Sequence, residues 1–130
     1  MGMDVYGNAP TTKEGEYFRR NIWGWHPLAV VVQTLAPAIT RPCVNWHSND
    51  GDGLDAEGAT KLADALEAAI ADGRAGSACQ IANESEGVET PVHSMIKTSF
   101  GISAKNRPVE IADLREFATF LRGSGGFRIC

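Results

Sequence analysis

The strongest constraint in this sequence is a helix signal that begins at Asp55 and ends at Gly73. Asp55 is a good N-cap, Glu57 complements the positive end of the helix dipole, and Gly73 can adopt the left-handed conformation that closes a helix. Between these ends, apolar residues recur at helical spacing and define one buried face: Leu62, Leu66 and Ile70. The sequence therefore predicts an amphipathic helix from about residue 56 to residue 72.

A polar loop, residues 46–55, leads directly into this helix and is the best candidate for a functional surface. It combines an aromatic residue, an imidazole, three acids and two glycines in ten residues. The start of a helix needs only a capping residue, and Asp55 is enough for that. The additional polar groups of the loop therefore suggest a binding role. The predicted binding residues are Trp46, His47, Ser48, Asn49, Asp50 and Asp52.

A divalent-cation site is the first alternative, with Asp50, Asp52 and Asp55 as ligands. A calcium-binding EF-hand loop needs Gly at its sixth position and a bidentate Glu at its twelfth. With Gly53 at the sixth position the twelfth is Ala59, and with Gly51 there the first is Trp46. Neither register fits, so the acids are interpreted chiefly as helix-capping groups. A metal-dependent hydrolase, with His47 as a base, remains open.

Zinc and nucleophilic catalysis have weaker support. Cys43 and His47 could form half of a zinc ligand set, but the other candidates, His26, Cys79, His93 and Cys130, are scattered and form no CxxC or HxxxH pair. No Gly-x-Ser-x-Gly motif occurs. The residues thus favour a binding module over an enzyme, without a required cofactor.

The rest of the chain predicts a mainly α fold, a single domain (1–130) of about four helices. A capping box, Thr11 to Glu14, predicts a helix reaching about Trp23, and Pro27 is expected to start a second one. The last helix begins near Pro108 and ends at Gly123. An extended segment or hairpin is expected in 90–104 and at the C-terminus. Residues 74–108 are predicted as an irregular connection that holds either short elements or a mobile stretch.

Aromatic and basic residues cluster in segment 17–25, which offers a second alternative function in nucleic-acid binding. Trp23 and Trp25, at near-helical spacing, are more typical of a core. The net charge of −4 also disfavours a nucleic-acid partner and leaves a protein partner or a second copy of the chain.

Location is predicted from the cysteines and from hydropathy. Three well-separated cysteines without a signal-peptide pattern favour a reducing cytoplasm over a disulfide framework. The longest apolar run, residues 28–32, is too short to cross a bilayer. A cytoplasmic protein without a membrane span is expected.

The chain also resembles a family of small bacterial and phage proteins to which no activity is assigned. The resemblance lies in the opening Met3–Gly7, in Tyr17–Leu28, in the loop Trp46–Leu54 and in the ending Arg115–Phe127. Some members carry a cysteine-rich, zinc-ribbon-like insert in the middle. Residues 74–108 of this chain hold only Cys79, so the resemblance implies a shared role for the loop but no zinc function.

Overall fold

The fold combines an antiparallel sheet with helices. The computed structural model describes residues 2–87 and 108–130. Within them lie four strands: β1 (Gly2–Gly7), β2 (Tyr17–Asn21), β3 (Gly53–Leu54) and β4 (Phe127–Ile129). Five helices complete the described part: α1 (Ile22–Leu35), α2 (Pro37–Thr40), α3 (Ala56–Asp72), α4 (Arg74–Gly87) and α5 (Ile111–Ser124).

The prediction of a mainly α bundle is wrong, because the four-stranded sheet is a principal element of a mixed α/β fold. The strand order is β2-β1-β4-β3, and every pair is antiparallel. In β1, Val5 lies opposite Phe18 on one side and Ile129 on the other. The two ends of the chain thus meet in the middle of the sheet. The strands are short and β1 and β4 lie far apart in the sequence, so local patterning gives little indication of their pairing.

The predicted helix after Thr11 is also wrong. The Thr12 hydroxyl accepts a hydrogen bond from the Gly15 backbone N–H at 3.1 Å, which closes a turn rather than a helix. Residues 17–21 then pair with β1, with Phe18 buried and Arg19 exposed as a half-buried strand requires. Burial of Phe18 in the sheet outweighs the local capping signal.

Helix α1 (Ile22–Leu35) begins ahead of Pro27, where the second helix was predicted to start. Its N-cap is Asn21, whose side chain accepts from the Gly24 N–H at 3.0 Å. Pro27 lies inside this helix and does not start a new one. The helix ends before Ala36, and Pro37 takes the first position of α2, where a missing N–H costs nothing.

The predictions for α3 and α5 are confirmed. Asp55 caps α3 by accepting from the Gly58 N–H at 2.7 Å, and Gly73 closes it with φ +90°. Helix α5 ends at Gly125, in the left-handed conformation. The C-terminal tail, expected to be extended, is strand β4.

Helix α4 occupies residues 74–87, at the start of the connection that was predicted to be irregular. Residues 88–107, and with them His93 and the hairpin predicted in 90–104, lie outside the described part of the chain. Among the described residues, no helix has the length and the apolar content to cross a membrane.

One aromatic core joins the sheet to the helices. Phe18 of β2 packs against Phe117 and Phe120 of α5, with ring centroids 5.1 and 5.8 Å apart. Phe127 of β4 reaches the same two rings and also Trp46, at the start of the candidate loop. The loop therefore begins from the centre of the core.

Candidate functional site

The loop of residues 46–55 is fixed at both ends. Trp46 is 1% exposed, and Leu54 is buried in β3 opposite Phe127. Between them the backbone bonds to β4, because the Gly51 N–H donates to the Ile129 carbonyl at 2.7 Å and the Ile129 N–H donates to the Asp52 carbonyl at 2.8 Å. Gly51 has φ +84°, a conformation that favours glycine. The loop is thus attached to the sheet edge.

The Asp52 carboxylate holds the backbone around it. It accepts from the N–H groups of Val44, Asn45 and Gly53 at 2.9, 3.0 and 3.0 Å. These backbone hydrogen bonds, the one from Asn45 above all, lower the pKa of Asp52 below its ordinary value, since they stabilise the charged form. The ionised Asp52 carboxylate therefore links the loop to the chain that precedes it, and these three hydrogen bonds are called the Asp52 clamp below.

The other two acids also have local partners. Asp50 accepts from the Ser48 hydroxyl at 2.8 Å, and Asp55 caps α3. Across residues 2–87 and 108–130, no group of three or more His, Cys, Asp or Glu side chains is arranged to hold a metal ion. A site made of Asp50, Asp52 and Asp55 gains no support from this arrangement.

Two buried tryptophans connect the loop to α1. The indole Nε1 of Trp25 donates to the Trp46 carbonyl at 2.6 Å, and the Trp46 indole donates to the Thr40 carbonyl at 3.2 Å. The two rings stack with centroids 6.3 Å apart and planes 18° apart. Both side chains are fully buried. This tryptophan pair fixes the position of the loop relative to the first turns of α1.

The residue after each tryptophan is a histidine, and the two imidazoles meet at the surface. The Nδ1 atoms of His26 and His47 are 2.7 Å apart, and the ring centroids are 4.8 Å apart. His26 is half-buried and His47 is exposed. At this distance the Nδ1–H of one ring donates a hydrogen bond to the unprotonated Nδ1 of the other, so the two Nδ1 atoms are in opposite protonation states.

Cys43, the other half of the possible zinc ligand set, lies in the core. Burial, and secondarily the charge of Asp52, raises the pKa of the Cys43 thiol to about 12. The thiol is therefore neutral near pH 7, whereas a zinc ligand must be a thiolate. Cys43 has the properties of a small buried hydrophobic residue.

His26 is the residue that sequence reasoning did not place in the site. Its signal is present in the chain, because the dipeptide Trp-His occurs twice, at 25–26 and at 46–47. Each copy buries its tryptophan and leaves its imidazole at the surface. Of the predicted binding residues, Trp46 is buried in the core, and Asn49 and Asp50 are exposed.

The basic residues of segment 17–25 are paired with acids. Arg19 lies 3.2 Å from Asp4, and Arg20 contacts Asp113 at 3.2 Å as well as Glu116. Arg20 also lies over the Phe18 ring. Paired guanidinium groups offer little charge to phosphate, so this geometry does not favour nucleic-acid binding.

Comparison with protein families, with curated proteins and with solved structures finds no match for this chain. The family resemblance of the loop therefore remains a prediction.

Proposed function

We propose that this protein is a non-enzymatic binding module, and that its binding surface is the outer face of the loop together with the residues leading into it. The supporting observation is the Asp52 clamp, which fixes the backbone of residues 44, 45 and 53 with three hydrogen bonds. A surface with a fixed backbone binds without a large loss of conformational entropy.

The side chains carried by this backbone have the composition of a small protein-binding patch. Val44 is 77% exposed, the largest exposed fraction among the large apolar side chains described. The exposed polar residues Asn45, His47, Asn49 and Asp50 follow it within six positions of the chain. An exposed apolar residue accompanied by polar groups has the composition of an interface centre with its rim. The acids of the loop and the net charge of −4 suit a partner with a basic surface.

The chemistry of the loop supports binding better than catalysis. Asp52 and Asp55 each hold backbone N–H groups, so their carboxylate oxygens are already engaged in maintaining the fold. A general base must instead reach a substrate proton.

Site-specific photo-crosslinking tests the proposal. Benzoylphenylalanine in place of Asn45 should give a discrete protein adduct in extracts of the source cell, and the same group in place of Ala68, exposed on α3, should not. Asp50→Lys should abolish the adduct, since it reverses a charge at the patch without removing a buried contact. Equal adducts from positions 45 and 68, or an adduct that Asp50→Lys leaves unchanged, would count against the proposal.

A further inference from the structure

We propose that His26 and His47 form a binding site for a divalent transition-metal ion, which they hold through their two Nδ1 atoms. The inference concerns a different ligand at the edge of the same surface, and it holds or fails independently of any protein partner.

The two rings already bring their ligand atoms together. Their Nδ1 atoms face each other at 2.7 Å, so both lie beside the point where an ion would bind. Two nitrogens bound to one tetrahedral Zn²⁺ at ordinary bond lengths are about 3.3 Å apart. The two Nδ1 atoms need to separate by about 0.6 Å, and each ring must also tilt so that both lone pairs point at one ion. Rotation about the side-chain torsions of the two histidines supplies both movements.

The tryptophan pair holds the two histidines in place before an ion binds. His26 follows Trp25 and His47 follows Trp46, and the indole of the first donates to the backbone carbonyl of the second. Both tryptophans are fully buried, so the two Cα positions that carry the imidazoles are set by the core. Metal sites are tight when their ligands are held in place before the ion arrives.

The chemistry of the two ligands determines which ions suit the site. Imidazole nitrogens suit Zn²⁺, Cu²⁺ and Ni²⁺, whereas Mg²⁺ and Ca²⁺ prefer oxygen. The pair supplies two ligands. An ion held by two imidazoles has further coordination positions, which water or donor atoms of a bound molecule fill in metal sites that bind ligands.

Calorimetric titration of the tag-free chain tests the site. The background carries Cys130→Ser, because Cys130 is exposed and a thiol could bind the same ions. Ni²⁺ should bind with a stoichiometry of one, and affinity should increase from Co²⁺ to Ni²⁺ to Cu²⁺. Mg²⁺ and Ca²⁺ should give no heat of binding.

Variants locate the site. His26→Gln and His47→Gln should each weaken Ni²⁺ binding about tenfold or more, since even the loss of a group that only orients a metal ligand costs 10–100-fold. Asp50→Asn should leave it within about threefold and is the matched loop control. Absence of Ni²⁺ binding, or binding that survives either histidine substitution, would overturn the proposal.

NMR on the protein with both histidines present locates the ion even if a histidine variant fails to fold. Sub-stoichiometric Ni²⁺ should broaden the amide NMR signals around residues 26 and 47 first. Broadening centred on Asp52 and Asp55, or spread evenly over the acidic surface, would show that the ion binds elsewhere and would also overturn the proposal. The crosslinking experiment is run in chelator, so its outcome is separate from this one.

Discussion

The indole N–H of Trp25 should be essential for the position of the loop, and Trp25→Phe tests this directly. Phenylalanine keeps most of the aromatic packing but removes the donor to the Trp46 carbonyl. Leaving a buried acceptor without its donor costs about 1–3 kcal/mol. The lost ring volume in a fully buried position adds about 1 kcal/mol. The variant should therefore be less stable by about 2–4 kcal/mol.

For a chain of 130 residues, 1 kcal/mol corresponds to a change of about 4 °C in Tm, so Tm should fall by about 8–16 °C. Urea unfolding followed by circular dichroism gives the free energy, and thermal unfolding gives Tm. Trp23→Phe is the matched control, because Trp23 is in the same helix but only half-buried, and it should cost less than about 1 kcal/mol. A Trp25→Phe variant as stable as Trp23→Phe would refute the reasoning.

Three further predictions concern stability. Asp52→Ala should cost about 1–2 kcal/mol near neutral pH, by analogy with lost helix caps. Because the folded-state pKa of Asp52 is lowered, its contribution is present above the ordinary carboxyl pKa and is lost as pH falls through the folded-state pKa. The difference from the parent chain, measured by urea unfolding, should therefore shrink below about pH 4. Gly125→Ala should destabilise more than Gly73→Ala in thermal unfolding. Both glycines have positive φ, so alanine at either position should lower the free energy of unfolding by about 1–2 kcal/mol. A Cβ at Gly125 would in addition lie 2.3 Å from a backbone carbonyl oxygen of the β1–β2 connection, whereas Gly73 faces open space. Arg122→Gln, which removes an exposed ion pair with Glu67 at the α3–α5 contact, should cost less than about 1 kcal/mol and less still in 1 M salt, as a salt series of melts would show.

Elements defined by neighbouring residues were predictable from the sequence. The cap at Asp55, the closing glycine at Gly73 and the apolar face between them lie within one helix, so local chemistry determines them. The same holds for α5, where capping and helical spacing agree.

The sheet was not predictable in this way, because its energy comes from distant partners. β1 and β4 pair across almost the whole chain, and β3 has only two residues. The capping box near Thr11 was misleading because burial of Phe18 against α5 contributes more than a helix cap does.

The candidate loop was recognised from composition, but the role of each residue depended on tertiary contacts. The acids were interpreted chiefly as helix-capping groups. Asp55 does cap α3, whereas Asp52 accepts from backbone N–H groups of the loop and of the chain before it. Trp46 was predicted as a binding residue, and its side chain is buried against Trp25. The pairing of His26 with His47 follows from that contact, although the repeated Trp-His dipeptide was visible in the sequence.

The most direct test of this account is the protonation of the two imidazoles. Long-range ¹H–¹⁵N NMR on ¹⁵N-labelled protein without metal distinguishes a protonated Nδ1 from a bare one. We expect Nδ1 to be protonated in one of His26 and His47 and unprotonated in the other. The Trp25→Phe variant should lose this pattern. Two rings with the same tautomer, insensitive to Trp25→Phe, would contradict the account.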